Sequence, residues 1–345
     1  MKWRAGAPCQ RRGDGEVEGV HQLEFIMNKQ PLVTHLFTAD PSAHVFEGKI
    51  YVYPSHDREV DAVENDLGDQ YAMTDYHILS QEHPEGPATD HGEALHVRDV
   101  PWAERQMWAP DAAYRNGRYY LYFPARDKEG VFRIGVATSA RPEGPFKAEP
   151  APIKGSFSID PCVFRDDDGE FYLLFGGIWG GQLQCWTTGR FVADAKEPLD
   201  ETPAICPKIA PLTADMLQFA APPQDLRIVD AAGAPLKGCD TTRRYFEGPW
   251  LHKHAGTYYL SYSTGDTHLL VYATSDRPTG PFTFRGTLMT PPSGWTTHHS
   301  IVEFDGRWWL YYHDASLSGG VSYKRSVKVQ ELFHEADGSI RTMAP

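Results

Sequence analysis

One phrase recurs along this chain and limits what it can fold into. Its fullest form runs from Asp160 to Gly177, DPCVFRDDDGEFYLLFGG: an acidic residue, a short apolar run, a polar turn closed by Gly169, then an aromatic run. The phrase returns as DPSAHVFEGKIYVYPS from Asp40, DAAYRNGRYYLYFPA from Asp111, EGPWLHKHAGTYYLSYS from Glu247 and HSIVEFDGRWWLYYHD from His299. Each copy reads as a β-hairpin, because two runs rich in β-branched and aromatic residues flank a short turn with a glycine at Gly48, Gly117, Gly169, Gly256 or Gly306. An isolated hairpin is marginal in water, so each copy needs further strands. The copies lie roughly fifty to ninety residues apart, which leaves room for about four strands per unit, the blade of a β-propeller. The expected fold is all-β: a five-bladed β-propeller of four-stranded antiparallel blades around a central channel.

A second echo supports that period. LLVYATSDRPTGPFTF in the fourth unit matches RIGVATSARPEGPFKA in the second almost phrase for phrase. The first blade is expected from about Leu32 to Val100, with YHILS and GEALHV as outer strands and the acidic stretch Glu59 to Asp69 as a loop. The second starts near Trp108, the third at Ser158, the fourth at Tyr245 and the fifth at THHSIVEF. The later part of the third blade, residues 189–244, is rich in Ala and Pro and is the least regular text in the chain, so an insertion is expected within it. An open ring would expose a sheet edge, so residues near the C-terminus are expected to return and close it. Residues 1–26 mix both charge signs without an apolar core; they read as a disordered extension without a secretory signal or membrane anchor, with translation starting at Met27 and one catalytic domain over 27–345.

The residue opening each copy is always polar, where a structural repeat needs only a strand former: Asp40, Asp111, Asp160, Glu247 and His299. If each hairpin begins with the innermost strand of its blade, these side chains converge on one rim of the channel. Carboxylates crowded into a cleft raise one another's pKa, the kind of arrangement that catalytic acids and bases require. The alternative is that the aspartates cap turns between blades.

Composition narrows the partners. Lys+Arg 33 against Asp+Glu 46 gives a net charge of −13, which argues against nucleic acid or an anionic membrane and suits a neutral ligand such as a sugar. The five cysteines, Cys9, Cys162, Cys185, Cys206 and Cys239, form no CxxC pair or zinc-like spacing and point to a reducing compartment, the cytoplasm. Cys162 lies in an apolar strand and reads as a small buried hydrophobe. Hydrolysis of a glycosidic bond needs one carboxylate to activate water or attack carbon, and a protonated carboxyl to supply the leaving oxygen with its proton. Asp40 and Glu247 suit these tasks, with Asp160 as a neighbouring charge, although spacing alone does not decide which does which.

At these residues the chain resembles glycoside hydrolase family 43: Asp in TADPSAHVF, Asp in SIDPCVF and Glu in FEGPWL, within a five-fold repeat from about Pro31 to Phe333. The resemblance implies a five-bladed propeller that inverts the anomeric carbon, with Asp40 as general base, Asp160 as the orienting and pKa-tuning residue and Glu247 as general acid. It also implies that Trp108 of WAPD walls the terminal sugar, or else simply packs, and that Asp111 is structural. Arg325 of KRSV matches an arginine that reaches sugar hydroxyls; the alternative is a surface salt bridge. His299 matches a histidine on the channel axis that faces a bound calcium through solvent, with carboxylates and waters supplying most of the shell. Trp179 of GGIWGGQ and His56 with Asp57 of YPSHD follow hairpins near the axis and are further candidates for substrate contact; Trp179 either shapes the aglycone side or covers a blade. The N-terminal extension and residues 189–244 depart from the family pattern. The expected activity is an exo-acting β-xylosidase on short xylo-oligosaccharides in xylan degradation, with α-L-arabinofuranosidase as the alternative and no organic cofactor. The rivals are a catalytically silent sugar-binding propeller and a retaining enzyme with a carboxylate nucleophile.

Overall fold

The structure, a computed structural model, describes residues 30–60 and 64–345. The expected disorder of residues 1–26 and the start at Met27 lie outside the described residues. Strands Phe37–Phe46, Lys49–Asp57, Asp75–Gln81 and Thr89–His96 pair in that order as blade one. Blade two uses Asp111–Arg115, Arg118–Asp127, Phe132–Ser139 and Lys147–Ala148, with Ala103–Arg105 added beside Arg118–Asp127. Blade three is Cys162–Arg165, Phe171–Phe175, Lys208–Pro211 and Gln224–Asp225. Blade four is Glu247–His254, Thr257–Ser263, Leu270–Ser275 and Phe282–Met289, and blade five is His299–Phe304, Arg307–Asp314 and Ser326–Leu332. The first strand of each blade touches the first strand of the next, and that of blade five touches blade one, so the ring is closed. The five-bladed propeller expected from the repeat is the fold observed.

The aromatic runs are long because a blade inside the ring is covered on both faces, and side chains alternate between them. In blade two, Leu121 and Phe123 join Tyr51, Tyr53 and Ile78 of blade one, while Tyr120 and Tyr122 join Leu173 and Phe175 of blade three. In blade five, Trp309 and Tyr311 face Ile50 and Val52 of blade one, whereas Leu310 and Tyr312 face the layer shared with blade four. The core is therefore a set of layers between blades, with no single centre.

One expectation needs correction. The ring is closed from the N-terminal side: the Leu32 and Thr38 backbone N–H groups donate to the Val327 and Arg325 carbonyls at 2.8 and 2.9 Å, covering the free edge of blade five. The C-terminal stretch instead returns to blade four, where Met343 exchanges backbone bonds with Leu288 and Thr290. Residues 189–244 belong to the later part of blade three, as expected, and reach beyond it. They supply the two outer strands of blade three, Lys208–Pro211 and Gln224–Asp225, and a two-residue strand, Ile228–Val229, parallel to Phe282–Met289 of blade four. These strands are two to four residues long, with Pro211 ending one and Pro222 and Pro223 preceding the next, so they carry no alternation that a sequence reading can detect.

Asp111 opens its strand as expected, but its carboxylate is fully buried between blades. One oxygen accepts the Val163 backbone N–H of blade three at 2.5 Å and the other meets His44 Nε2 of blade one at 2.5 Å. It joins three blades and does not line the cleft. Asp111→Ala leaves a buried N–H without an acceptor, an expected loss of about 1–3 kcal/mol. Thermal melting should show the drop, with Asp111→Asn, which keeps an acceptor oxygen, melting between the two.

Candidate active site

Asp40 and Glu247 reach the channel mouth because their strands are interrupted there. In blade one the pairing shifts between Ala39 and Ser42, and in blade four between Glu247 and Trp250, so each inner strand bulges beside the acid. A bulge bends the strand and re-aims a side chain, and a proline, which lacks an N–H, sits readily in one. Pro41 and Pro249 occupy these bulges, and Pro161 follows Asp160 at the corresponding place. Asp40 and Asp160 have φ of 50° and 57°, a left-handed conformation that costs a non-glycine residue of order 1–3 kcal/mol and persists where surrounding bonds enforce it. Gly248, after Glu247, has φ of 63° and donates its N–H to Asp160 Oδ2 at 3.0 Å, so Asp160 holds the turn that presents Glu247.

The three acids share one cleft, and their surroundings separate their protonation. Asp40 Oδ1 accepts from Arg325 Nη1 at 2.9 Å and Oδ2 from Ser55 Oγ at 2.6 Å. Burial acts to raise the Asp40 pKa, but the Arg325 guanidinium, helped by His313, His298 and the Ser55 hydroxyl, outweighs it and brings the carboxyl from 3.8 down to about 2. Burial presses His313 down to about 4, so it is neutral at pH 7 and Arg325 carries the effect there. His313 Nδ1 accepts the Asp40 backbone N–H at 3.0 Å, which leaves its proton on Nε2, facing Thr296.

Glu247 has the opposite balance. Burial and the Asp40 charge raise it from 4.5 to about 8, with Arg325 opposing. Asp160 is also pushed well above the usual carboxylate range, by burial first and then by the charges of Glu247 and Asp40. Close carboxyls of this kind titrate together, and at neutral pH the pair retains a proton. Among the described residues no group hydrogen-bonds to the Glu247 carboxyl, which is partly exposed to the cleft and open to an incoming ligand.

Arg325 is buried and fully engaged. Its Nε and Nη2 grip Asp57 at 2.8 and 2.7 Å, Nη1 reaches Asp40 and Thr296, and its guanidinium lies 4.9 Å from the Tyr71 ring centroid. It lines the cleft as expected, and its bonds in this structure go to the two aspartates and Thr296 rather than to a surface partner.

Trp108 both lines the cleft and packs, with Nε1 donating to the Tyr71 carbonyl at 2.8 Å. A Cβ on Gly68 would come within 2.5 Å of its ring, so only glycine fits beneath it. Trp179 stands in the cleft at φ 54°, its Nε1 bonded to Glu197 Oε1 at 2.5 Å and its ring against Phe246 and Trp295. Glu197 is paired in turn with the buried Arg244 at 2.8 Å, so the irregular segment steadies this wall.

His56 is not brought to the cleft: its Nδ1 pairs with Asp75 Oδ2 at 2.8 Å, while its neighbour Asp57 turns the other way to hold Arg325. His299 is buried, with Nε2 against Ser261 Oγ at 2.6 Å and Nδ1 without a hydrogen-bond partner among the described residues. Phe246, Trp295, Thr296 and His298 also line the cleft and were not anticipated. Each stands just before an opening residue of the repeat, the place where a chain entering an inner strand must cross the rim.

Residues 29–340 match the model of glycosyl hydrolases family 43. The chain belongs to that family. Xylosidase/arabinosidase 43A of Humicola insolens is 58% identical to it, over 91% of this chain and 99% of that protein. A xylosidase/arabinosidase of Bacteroides ovatus is 51% identical over 91% and 97%. Among solved structures, a GH43 β-xylosidase/α-arabinofuranosidase from a compost microbial metagenome, in complex with xylotriose and in a calcium-free form, superposes with a TM-score of 0.91 at 60% identity, covering 92% of this chain and 97% of that one. This family 43 member is a glycoside hydrolase, and its cleft is lined by Asp40, Asp160 and Glu247 together.

Trp295, 36% exposed, supports Trp179 without carrying the fold. Trp295→Ala should raise KM roughly fivefold, the loss of about 1 kcal/mol of ring contact, with a smaller change in kcat. Steady-state kinetics on an aryl glycoside and on an oligosaccharide would show it.

Proposed function

We propose that this enzyme is an inverting exo-hydrolase that releases terminal pentoses from short xylo-oligosaccharides, chiefly as a β-1,4-xylosidase. One observation carries the reading: in a single cleft, Asp40 is held down to about 2 while Glu247 is pushed up to about 8. Two carboxyls driven apart in this way divide into base and acid. Asp40 takes a proton from a water as its oxygen attacks the anomeric carbon from one face. The glycosidic C–O bond breaks on the other face, and the leaving oxygen takes the proton of Glu247. Asp160 stays out of the bond changes and holds the Gly248 turn, while burial and the Asp40 charge keep Glu247 protonated.

The names of the close relatives favour a pentose in the pocket, and xylose and arabinofuranose can present similar hydroxyl patterns to one site, so α-L-arabinofuranosidase activity is the second reading. The cleft measures about 230 Å³, below the range of about 300–1,000 Å³ of ordinary ligand pockets, which favours a terminal sugar over an open polymer groove. Nothing about its lining asks for an organic cofactor. For a calcium ion on the channel axis, His299 Nδ1 is a buried nitrogen with no other partner, but no carboxylate is among the charges that act on it. Such an ion would be held there by one imidazole and water, and would add positive charge to the channel floor. The described cysteines are all free thiols, which suits a reducing compartment such as the cytoplasm.

Activity should be flat at acid to neutral pH and fall as pH rises through about 8, where Glu247 loses its proton. Arg325→Met removes the charge that depresses Asp40, so the acidic limb of kcat/KM should move to higher pH; an unmoved limb contradicts the assignment of the base. Parallel hydrolysis of aryl β-xylosides and α-L-arabinofuranosides tests the substrate. Asp40→Ala should lose activity on all of them, and Glu247→Ala should lose about 10²–10⁴-fold on poor leaving groups and much less on activated aryl glycosides. Proton NMR of the first product should show the inverted anomer; retention would overturn the mechanism.

A further inference from the structure

We propose that blade one carries a binding site for one divalent transition-metal ion, of the zinc class, formed by His56, Asp75 and His77 and separate from the catalytic cleft. The three side chains meet because of strand geometry. Asp75 and His77 are two apart on one strand and so share a face, and His56 lies across from them on the neighbouring strand. His56 and Asp57 are consecutive and face opposite ways, so the cluster lies on the far side of its sheet from the Asp57 grip on Arg325.

The donor atoms have the spacing that a small metal requires. In a tetrahedral zinc site with bonds of about 2.0–2.1 Å, ligand atoms stand about 3.3 Å from one another. Asp75 Oδ2 is 2.8 Å from His56 Nδ1 and 3.6 Å from His77 Nε2, and all three donor atoms lie within 4.8 Å of one another. Asp75 needs to move only a few tenths of an ångström relative to each histidine, and rotation of the two imidazoles, whose donor atoms lie within 4.8 Å of one another, would complete the set. A metal would replace the proton now shared between His56 and Asp75.

The groups behind the donors are those that orient metal ligands. A ligating histidine usually gives its other ring nitrogen to a carboxylate, which fixes the tautomer and raises basicity. His77 Nδ1 lies 3.1 Å from Asp90 Oδ1, so the lone pair of its Nε2 points toward Asp75, and Asp90 is braced by His35 at 2.9 Å. The second oxygen of Asp75 is held by Arg58 Nη1 at 3.0 Å and by Thr74 Oγ1 at 3.1 Å, leaving Oδ2 for the histidines. Asp75 is buried while His56 and His77 are 16% and 17% exposed, so an ion can reach the site from solvent. Two histidines, one carboxylate and an open position match three-ligand zinc sites; they do not match the all-oxygen shell that calcium or magnesium prefers.

The test uses the untagged full chain, stripped with chelator and desalted, titrated with Zn²⁺ by calorimetry and with Co²⁺ by visible absorption. One equivalent is expected, with the d–d bands of a four- or five-coordinate cobalt ion. His77→Gln should remove the binding, and Asp90→Asn, which touches no metal, should weaken it roughly tenfold to a hundredfold. Both side chains are partly exposed, and melting curves establish that the variants fold. His334→Ala, in the separate histidine cluster with His252, should bind as the parent does. Absence of bound metal in the parent, unchanged binding in His77→Gln, or loss of binding in His334→Ala overturns the proposal.

Discussion

The arrangement of the cleft depends on one buried guanidinium. Arg325 sits between two carboxylates, taking both oxygens of Asp57 and one of Asp40. A buried cation of this kind is tolerable because each of its three nitrogens has an acceptor and the pairing with Asp57 is bidentate. Its position also creates the asymmetry of the site. It touches Asp40 directly and acts on Glu247 only through space, so the same charge that keeps Asp40 ionised leaves burial and the Asp40 charge to dominate at Glu247. Asp57 is not among the residues that line the cleft, yet its bonds to Arg325 fix the arginine in place.

Much of this was legible in the sequence, because the repeat carries two independent signals. The aromatic runs gave the hairpins, and the alternation within YYLYF divides as the blades require, Tyr120 and Tyr122 to one side and Leu121 and Phe123 to the other. The opening acids gave the site, but the same letter at the same place had two outcomes. Asp40 and Asp160 are followed by proline, and Glu247 by glycine and proline; the strands of Asp40 and Glu247 are interrupted, Asp160 stands just before its strand, and all three acids line the cleft. Asp111 is followed by Ala112 in a strand paired without a break from Asp111 to Arg115, so its side chain stays between blades. The proline was visible from the start as the distinguishing mark.

What the sequence concealed was non-local or irregular. His56 was grouped with Asp57 by proximity, although consecutive strand residues point to opposite faces. The edge that closes the ring is covered by a few residues before Phe37 with little strand character of their own, recognisable only once blade five lies beside them. The wall at Trp179 is set by a segment whose text has no pattern: Glu197 receives the indole N–H and is itself paired with Arg244.

Closure of the ring by its first residues has a bearing on how the chain acquires its activity. Asp40 leaves the ribosome well before the arginine that keeps it ionised, which follows 285 residues later. Contacts of such long separation form slowly, since most of the entropy of the intervening loop must be lost first. Four blades can stack as an open arc while synthesis continues, but the seam between the last and the first has to wait for the whole chain. Asp40, proposed above as the base, therefore gains the partner that keeps it ionised only when that seam closes.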